Sequence, residues 1–264
     1  MKFVSPKVEI IPQEEGLLGV YKQIELAGRT CYKSEDKITE DSCKEFVQRM
    51  INNGHTAMLE HGTVYLKSMM DFTKYSDPLD KYIFNKYSHA VYNDGYIYVT
   101  TNLRVLQENG WMEDLQYLCS PTENHEKRIT ARFTCDRGVS HELVRHRVFS
   151  FAQESTRFCN YSKDKFGSEL TFITPSGIEK YTPFNEHGGI NNYLRFCEDL
   201  YLGLLDQGWK PQDARAILPN CLKTEVVMTG FESDWKHFFD LRCALSAHPD
   251  MQVLAKELQR LMSS

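Results

Sequence analysis

The sequence lacks an excess of positive charge and any long apolar run. Its 264 residues include 31 lysines and arginines against 36 aspartates and glutamates, a formal net charge of −5. Such a chain lacks the positive field that drives non-specific binding to nucleic acid, so an anion must bind to a local cluster of cations. No apolar run approaches the ~18 residues of a membrane-spanning helix. We therefore expect neither nucleic acid nor membrane as a partner.

Closely spaced cysteines are also missing. The eight cysteines are scattered, without the C-x-x-C spacing that is typical of zinc knuckles and redox motifs. They are predicted to be reduced thiols of the core. The amino-terminal MKFVSPKVEI alternates charged and apolar residues and lacks the apolar core of a signal peptide. These features predict a cytoplasmic protein.

Helix and strand patterns alternate along the chain without a linker, a repeat or a low-complexity segment. Apolar residues alternate, as in strands, over 8–12, 62–67, 96–100, 129–135 and 223–229. Helical spacing occurs over 17–26, 39–53, 193–204 and 249–262. Further helices are predicted to begin at Pro211 and to run from Ser233 to Cys243, while Thr39 and Ser233 are predicted helix caps. The polar, tyrosine-rich residues 71–95 give no clear pattern. We predict an α+β fold, a single domain over 1–264 with a mixed or antiparallel sheet flanked by helices.

The stretch SHELVRHRVFSFAQESTRF, residues 140–158, concentrates histidines, arginines and carboxylates. Its His141, Glu142 and His146 resemble the zinc helix H-E-x-x-H, but the second histidine falls one residue late. Five helical steps turn about 140° from the starting face, so the two imidazoles cannot share a face of a regular helix. We therefore predict no metal of the metalloprotease type. An irregular metal site that includes His55, Glu60 and His61 remains an alternative.

The same stretch has the side chains that bind phosphate. If helical, Arg145 and Arg147 would point about 200° apart and would serve two ligand groups or two chains. Hydroxyl, amide and guanidinium donors suit a phosphate and the edge of a heterocycle. Such donors recur at Ser150, Gln153, Ser155, Arg157, Arg215 and Arg242. The sequence thus predicts the binding of defined phosphate groups.

At these residues the sequence resembles a known family. Arg145-His146-Arg147, then seven residues and Ser155, resembles the signature of the flavin-dependent thymidylate synthases. Four other blocks follow the family's order: GRTCYKS (28–34), GHTAMLEH (54–61), ARAILP (214–219) and TGFESDWKHFFDLR (229–242). They span nearly the whole chain, with an insertion-like stretch at 68–128. Ser233 departs from the family's pattern, since an arginine is usual there and would contact an FAD phosphate. Ala152, where many members have asparagine, is a second departure.

The resemblance implies an enzyme that methylates dUMP to dTMP. Methylenetetrahydrofolate would provide the carbon, FAD would carry the hydride and NADPH would be the reductant. It also implies a homotetramer with its sites between subunits. The alternatives are another FAD- or nucleotide-binding enzyme and a non-catalytic nucleotide-binding protein, which a test for flavin and for dTMP formation would separate.

The resemblance also implies residue roles. Arg242 matches the catalytic arginine, which would hold the uracil edge and stabilise its developing negative charge. Ser155 is expected to bind the nucleotide and not to act as a nucleophile. The implied dUMP-binding residues are Glu142, Arg145, Gln153, Glu154, Ser155, Thr156, Arg157, Arg215 and Arg242. The implied FAD-binding residues are His55, Arg145, His146, Arg147, Gln153 and His237.

Overall fold

The computed structural model describes residues 1–70, 77–174 and 189–263. Nine strands lie in this part of the chain: β1 (Lys2–Val4), β2 (Lys7–Ile10), β3 (Thr63–Met69), β4 (His89–Asn93), β5 (Tyr96–Asn102), β6 (Arg128–Asp136), β7 (Ser150–Gln153), β8 (Thr171–Ile173) and β9 (Lys223–Phe231). Eight α-helices accompany them: α1 (Gly16–Tyr32), α2 (Ser42–Asn52), α3 (Leu103–Asn109), α4 (Arg137–Leu143), α5 (Gly189–Asp206), α6 (Pro211–Ala214), α7 (Glu232–Arg242) and α8 (Pro249–Met262). No helix in the described ranges is long and apolar enough to cross a membrane.

The central sheet has four antiparallel strands in the order β2-β6-β9-β7. Side chains alternate across it because successive residues of a strand point to opposite faces. Phe133 and Met228 pack on one face with Trp235 of α7 and Leu254 of α8. Val227 lies on the opposite face, where Ala27 of α1 contacts it. The sheet is therefore buried between α1 on one side and α7 and α8 on the other.

The insertion-like stretch contributes two strands to a second sheet, which β3 completes. Strands β3, β5 and β4 pair antiparallel in the order β3-β5-β4, and a separate core of residues such as Leu66, Ile97 and Leu106 lies beneath them. A third, parallel pair joins β1 to β8. The α+β class is confirmed, but the expectation of one sheet was wrong, because β5 pairs with β3 and β4 instead of with the strands of the central sheet. Part of 71–95 forms β4 and a 3₁₀ turn, Asp80–Tyr82, while 71–76 lie outside the described residues.

Two of the predicted helix caps were wrong. Helix α2 begins at Ser42, whose Oγ accepts a hydrogen bond from the Thr39 backbone N–H at 2.9 Å, so Thr39 lies outside the helix. Helix α7 begins at Glu232, because β9 stays paired up to Phe231 and the helix follows at once. Ser233 therefore lies inside the first turn, and its hydroxyl donates to the Glu126 carboxylate.

Other local predictions are confirmed. Helix α8 covers the predicted 249–262, and Gly54 follows the end of α2 with a positive φ of 69°. Pro211 begins α6, although that helix has only four residues. All eight cysteines are free thiols. Four of them are buried (Cys43, Cys135, Cys159 and Cys197) and four are half-buried.

Candidate functional site

Arg242 lies at the carboxyl end of α7 and is bound to a distant part of the chain. Its Nη1 donates to Glu142 Oε2 at 2.5 Å and its Nη2 to the Glu142 carbonyl at 3.0 Å. Its Nε donates to His146 Nε2 at 2.9 Å. The buried rings of Trp235 and Phe238 anchor the helix beneath it. The guanidinium is therefore fixed in direction, and the Arg242 side chain is 17% exposed to solvent.

Glu142 and His146 reach Arg242 because α4 is short. The Asp136 side chain caps α4 by accepting from the Val139 N–H at 2.6 Å, and the helix ends after seven residues at Leu143. The chain then turns, and the His146 N–H donates to the Leu143 carbonyl. Arg145 and Arg147 therefore lie outside the helix. The expectation that their side chains point about 200° apart assumed a helix and does not apply.

His146 is a neutral acceptor in this cluster. Its ring is buried, with its centroid 5.0 Å from that of Phe238. Burial, together with the charges of Arg242 and His237, lowers the pKa of His146 to about 4. The unprotonated Nε2 accepts from the Arg242 guanidinium, so the ring proton of the neutral histidine lies on Nδ1. The arrangement orients a permanent cation without neutralising it through His146.

Three other predicted residues surround this cluster at the surface. Arg145 and Arg147 are exposed in the turn after α4, and His237 is exposed on α7. Neither arginine has an ion pair within the described ranges. They are free to bind a ligand of either kind that the sequence suggested, but they do not themselves contact Arg242.

Arg147 lines a cleft of about 930 Å³ between the insertion-like stretch and the end of the central sheet. Arg128 lies in the wall of the cleft and donates to the Glu60 carbonyl at 2.9 Å. Its Nε is a buried donor without a partner among the described residues. Burial lowers the pKa of Arg128 to about 10, so it remains a cation near neutral pH. Lys86 of the insertion-like stretch also lines the cleft.

Sequence reasoning missed Arg128 and Lys86. The sequence indicated Arg128 only as a cation at the start of a predicted strand. The unclear pattern of residues 71–95 gave no indication of a role for Lys86. Their positions in the cleft depend on the contact between the two sheets.

Gln153 and Glu154, at the end of β7, are engaged inside the chain. Gln153 Nε2 donates to Ser140 Oγ at 2.9 Å. Glu154 is buried and accepts from Lys223 Nζ and the Tyr161 hydroxyl, both at 2.9 Å. Burial opposes ionisation of the neighbouring Glu225, but the ammonium groups of Lys223 and Lys33 outweigh it and hold the pKa of Glu225 at about 2. These carboxylates form a compensated network, and a ligand would have to reach Glu154 through it.

The remaining residues of the predicted nucleotide pocket lie just after β7, except for Arg215, which follows α6. Ser155 Oγ accepts from the Arg157 N–H at 3.3 Å, and Arg215 Nη1 donates to Thr156 Oγ1 at 3.5 Å. The guanidiniums of Arg157 and Arg215 are both exposed. Hydroxyl and guanidinium donors are therefore together, as phosphate binding requires. Within the described ranges, no hydrogen bond or ion pair joins this group to the Arg242 cluster.

The two histidines of the GHTAMLEH block lie in different environments. His55 is exposed and lines a second pocket, between α1 and α2. His61 is fully buried, and its Nδ1 lies 2.8 Å from Thr229 Oγ1. The part of the chain that the structure describes contains no group of three or more histidines, cysteines or carboxylates close enough to hold a metal ion.

The described residues form an α+β fold with two clusters that contain arginine, one at Arg242 and one at Arg157 and Arg215. The chain belongs to the thymidylate synthase complementing protein family, whose sequence profile matches residues 120–264. The family predicted from the sequence is thereby confirmed.

Several known proteins are similar to this chain. The flavin-dependent thymidylate synthase of Geobacter sulfurreducens is 35% identical over 126 residues, which are 48% of this chain and 52% of that protein. The one from Pyrococcus furiosus is 31% identical over 129 residues, 49% of this chain and 51% of its own. That of Corynebacterium aurimucosum is 26% identical over 259 residues, 94% of this chain and 78% of its own. The chain thus spans about half the length of the first two relatives.

A solved structure also aligns with the fold. The UMP/dUMP methylase PolB from Streptomyces cacaoi, bound with 5-Br dUMP, is 16% identical with a TM-score of 0.46, and the alignment covers 100% of this chain and 92% of PolB.

Proposed function

We propose that this protein methylates dUMP to dTMP, with methylenetetrahydrofolate as carbon donor, FAD as cofactor and NADPH as reductant. The observation that carries the proposal is the fixed guanidinium of Arg242. Its three hydrogen bonds to Glu142 and His146 join the two sequence blocks that carry the family resemblance most strongly. The relatives of this chain are named flavin-dependent thymidylate synthases, and this supports the proposed methylation of dUMP.

Arg242 is the proposed catalytic residue. A guanidinium held in one direction stabilises negative charge that develops on a planar ring without having to reorganise during the reaction. Glu142 and His146 orient it, and His146 does so without adding a charge. Glu142, beside the guanidinium, is in addition proposed to contact the uracil.

The other arginines are proposed to bind the nucleotide and the cofactor. Arg157 and Arg215, with Ser155 and Thr156, would bind the dUMP phosphate through charge-assisted hydrogen bonds. Gln153 and Glu154 are proposed to complete this pocket from the end of β7. Arg145 is proposed to contact both ligands.

The cleft beside Arg147 is the proposed binding place for the phosphate groups of FAD. Arg128 Nε, which has no partner among the described residues, and the cations Arg147 and Lys86 are donors suited to phosphate. The lining also contains three carboxylates, two of which pair with Arg104. The volume is within the ~300–1,000 Å³ of small-molecule sites. Once bound, FAD provides the hydride chemistry, so the protein need only bind and orient it. His55, His146, Gln153 and His237 are the further residues proposed for this cofactor.

The proposed active form is a homotetramer. Among the described residues, no hydrogen bond or ion pair joins the Arg242 cluster to the Arg157–Arg215 group on one chain, whereas the reaction requires its ligands to meet. Symmetric association of identical chains brings different surfaces together in one site.

The test combines a spectrum with a turnover assay. We expect the purified protein, reconstituted with FAD, to show bound-flavin absorbance. With dUMP, methylenetetrahydrofolate and NADPH under anaerobic conditions, it should form dTMP. Bound flavin without dTMP would instead indicate another flavin enzyme. Nucleotide binding without flavin would indicate a non-catalytic protein, and either result would overturn the proposal.

A further inference from the structure

A pocket of about 530 Å³ lies between the carboxyl-terminal ends of α1 and α2. We name it the α1/α2 pocket. Its lining contains the four cations Arg29, Lys37, Arg49 and Lys165 and no aspartate or glutamate. Such a concentration of one charge is unexpected on a chain whose net charge is −5. The cations come from different parts of the sequence, so the fold itself brings them together.

One aromatic ring positions two of these cations. The guanidinium carbons of Arg29 and Arg49 lie 5.0 Å and 5.2 Å from the centre of the Phe46 ring. Both distances are within the range of a cation–π interaction. Arg29 is also fixed by Glu25, whose Oε1 accepts from its Nη2 at 2.8 Å. Gly28 allows the ring to sit there, since a Cβ at this position would lie 2.5 Å from Phe46 Cζ.

Three cations of the pocket lack a compensating carboxylate. Lys37, Arg49 and Lys165 form no ion pair within the described ranges, and Lys165 donates instead to the Lys33 carbonyl at 2.8 Å. The dipoles of α1 and α2 favour a cation in the last turn of each helix, which accounts for Arg29 and Arg49. They do not account for Lys37 and Lys165, which belong to neither helix. Like charges in a partly enclosed pocket repel one another, and an anion would relieve that repulsion.

We propose that the α1/α2 pocket binds a small ligand that carries two or more negative charges on phosphate or carboxylate groups. Guanidinium and ammonium groups bind both kinds of anion through charge-assisted hydrogen bonds. The pocket volume suits a ligand of small-molecule size. The lining shares no residue with the Arg157–Arg215 group, although the Ser155 N–H donates to the Cys31 carbonyl, next to Tyr32 of the lining, so the two sites adjoin. The proposal goes beyond the proposed function, which uses only His55 from this lining.

The test measures the binding of two probes, inorganic pyrophosphate and tri-γ-glutamate, by isothermal titration at constant ionic strength. At least one probe should bind saturably to the full chain. Arg49→Gln and Lys165→Gln should each weaken that binding about tenfold or more, the usual effect of losing a hydrogen bond to a charged group. Both side chains are exposed, so neither substitution should prevent folding. The probe that binds more tightly identifies the ligand as a phosphate or as a chain of carboxylates.

The matched control is Lys256→Gln, which removes one exposed cation from α8, outside the pocket. It should leave binding of the probes unchanged. The proposal is overturned if neither probe binds or if all three variants bind alike. It is also overturned if dUMP displaces the probe completely, since the anion would then occupy the nucleotide site. The assay contains no flavin, folate or turnover, so its failure is separate from failure of the proposed function.

Discussion

At the residue scale, Arg242 is the most constrained cation of the candidate site. An ammonium group cannot donate at once to the Glu142 carboxylate, the Glu142 carbonyl and His146 in the fork geometry that the guanidinium adopts. We predict that Arg242→Lys folds and still binds flavin. It should lose about 10²–10³ in the rate of dTMP formation, the usual loss for one preorganised donor. Turnover and flavin absorbance measure the two effects separately.

A control for Arg242→Lys is Arg260→Lys. Arg260 is also near the end of a helix and also binds a carboxylate, that of Glu257, but it is exposed on α8. Its replacement should leave the rate unchanged. Near-normal turnover of Arg242→Lys would assign the catalytic role to another residue.

Ser155 tests a second residue role. Its Oγ accepts a hydrogen bond from the Arg157 N–H, and no base contacts it within the described residues. We predict that Ser155→Ala weakens dUMP binding by about 0.5–1.5 kcal/mol, or 1.5–3 kcal/mol if the hydroxyl contacts the phosphate, and retains measurable turnover. Titration with dUMP and a rate measurement check this. A covalent dUMP adduct on Ser155, detected by mass spectrometry, would contradict it.

At the scale of elements, a glycine determines how closely α1 and α2 approach. A Cβ on Gly28 would collide with the Phe46 ring, which Arg29 and Arg49 also contact. We predict that Gly28→Ala lowers the free energy of unfolding by about 1–3 kcal/mol, as overpacking does. Gly203, inside α5, has no atom within 4 Å of an added Cβ. Gly203→Ala should therefore raise stability by about 0.5–1 kcal/mol. Urea unfolding of both variants measures the contrast, and equal effects would contradict it.

A buried histidine links the 3₁₀ segment Thr56–His61 to β9 through Thr229. Burial, together with the charge of the nearby Arg128, lowers the pKa of His61 to about 3. Above about pH 6.5, His61 is neutral in both the folded and the unfolded chain and adds no pH dependence. Between about pH 6.5 and 3, only the unfolded chain takes up the proton. Stability therefore falls as the pH falls, by up to ~1.4 kcal/mol per pH unit.

We accordingly predict that His61→Gln loses less stability than the parent protein between pH 7 and pH 5. Urea unfolding at the two pH values measures the change in the free energy of unfolding for each protein. Comparing these changes removes the constant loss that the missing hydrogen bond to Thr229 causes at pH 7. His141→Gln, on the exposed surface of α4, is the control and should leave the pH dependence unchanged. An unaltered slope in His61→Gln would show that other groups cause the acid sensitivity.

At the scale of the whole molecule, association of identical chains would bring the Arg242 cluster of one chain and the Arg157–Arg215 group of another into one site. We predict a mass by light scattering of four chains of 30.7 kDa in the presence of FAD. Dilution to the monomer should release the flavin, because the cofactor site would then be incomplete. A monomer that keeps its flavin would remove the basis for the tetramer and for sites between subunits.

The sequence by itself determined the local elements and the family. Helix α8 was predicted with its observed bounds, and β6 and β9 were recognisable by alternation, because these patterns reflect hydrogen bonding and burial within one segment. The prediction of Thr39 and Ser233 as helix caps was wrong, because the start of a helix does not depend on local spacing alone. Where a helix begins also depended on how far β9 stays paired with β6 and on the hydrogen bond from Thr39 to Ser42.

Only the tertiary structure decided which side chains meet. The resemblance assigned Glu142 and Arg242 to dUMP and His146 to FAD, and it did not predict that Arg242 contacts the other two. These contacts span about 100 residues and depend on the early end of α4 and on the packing of α7 against the sheet. The cleft at Arg128 and Lys86 and the α1/α2 pocket likewise arise where separate elements pack together. No local pattern encodes such contacts, because long-range neighbours are selected by the burial of whole faces and not by spacing along the chain.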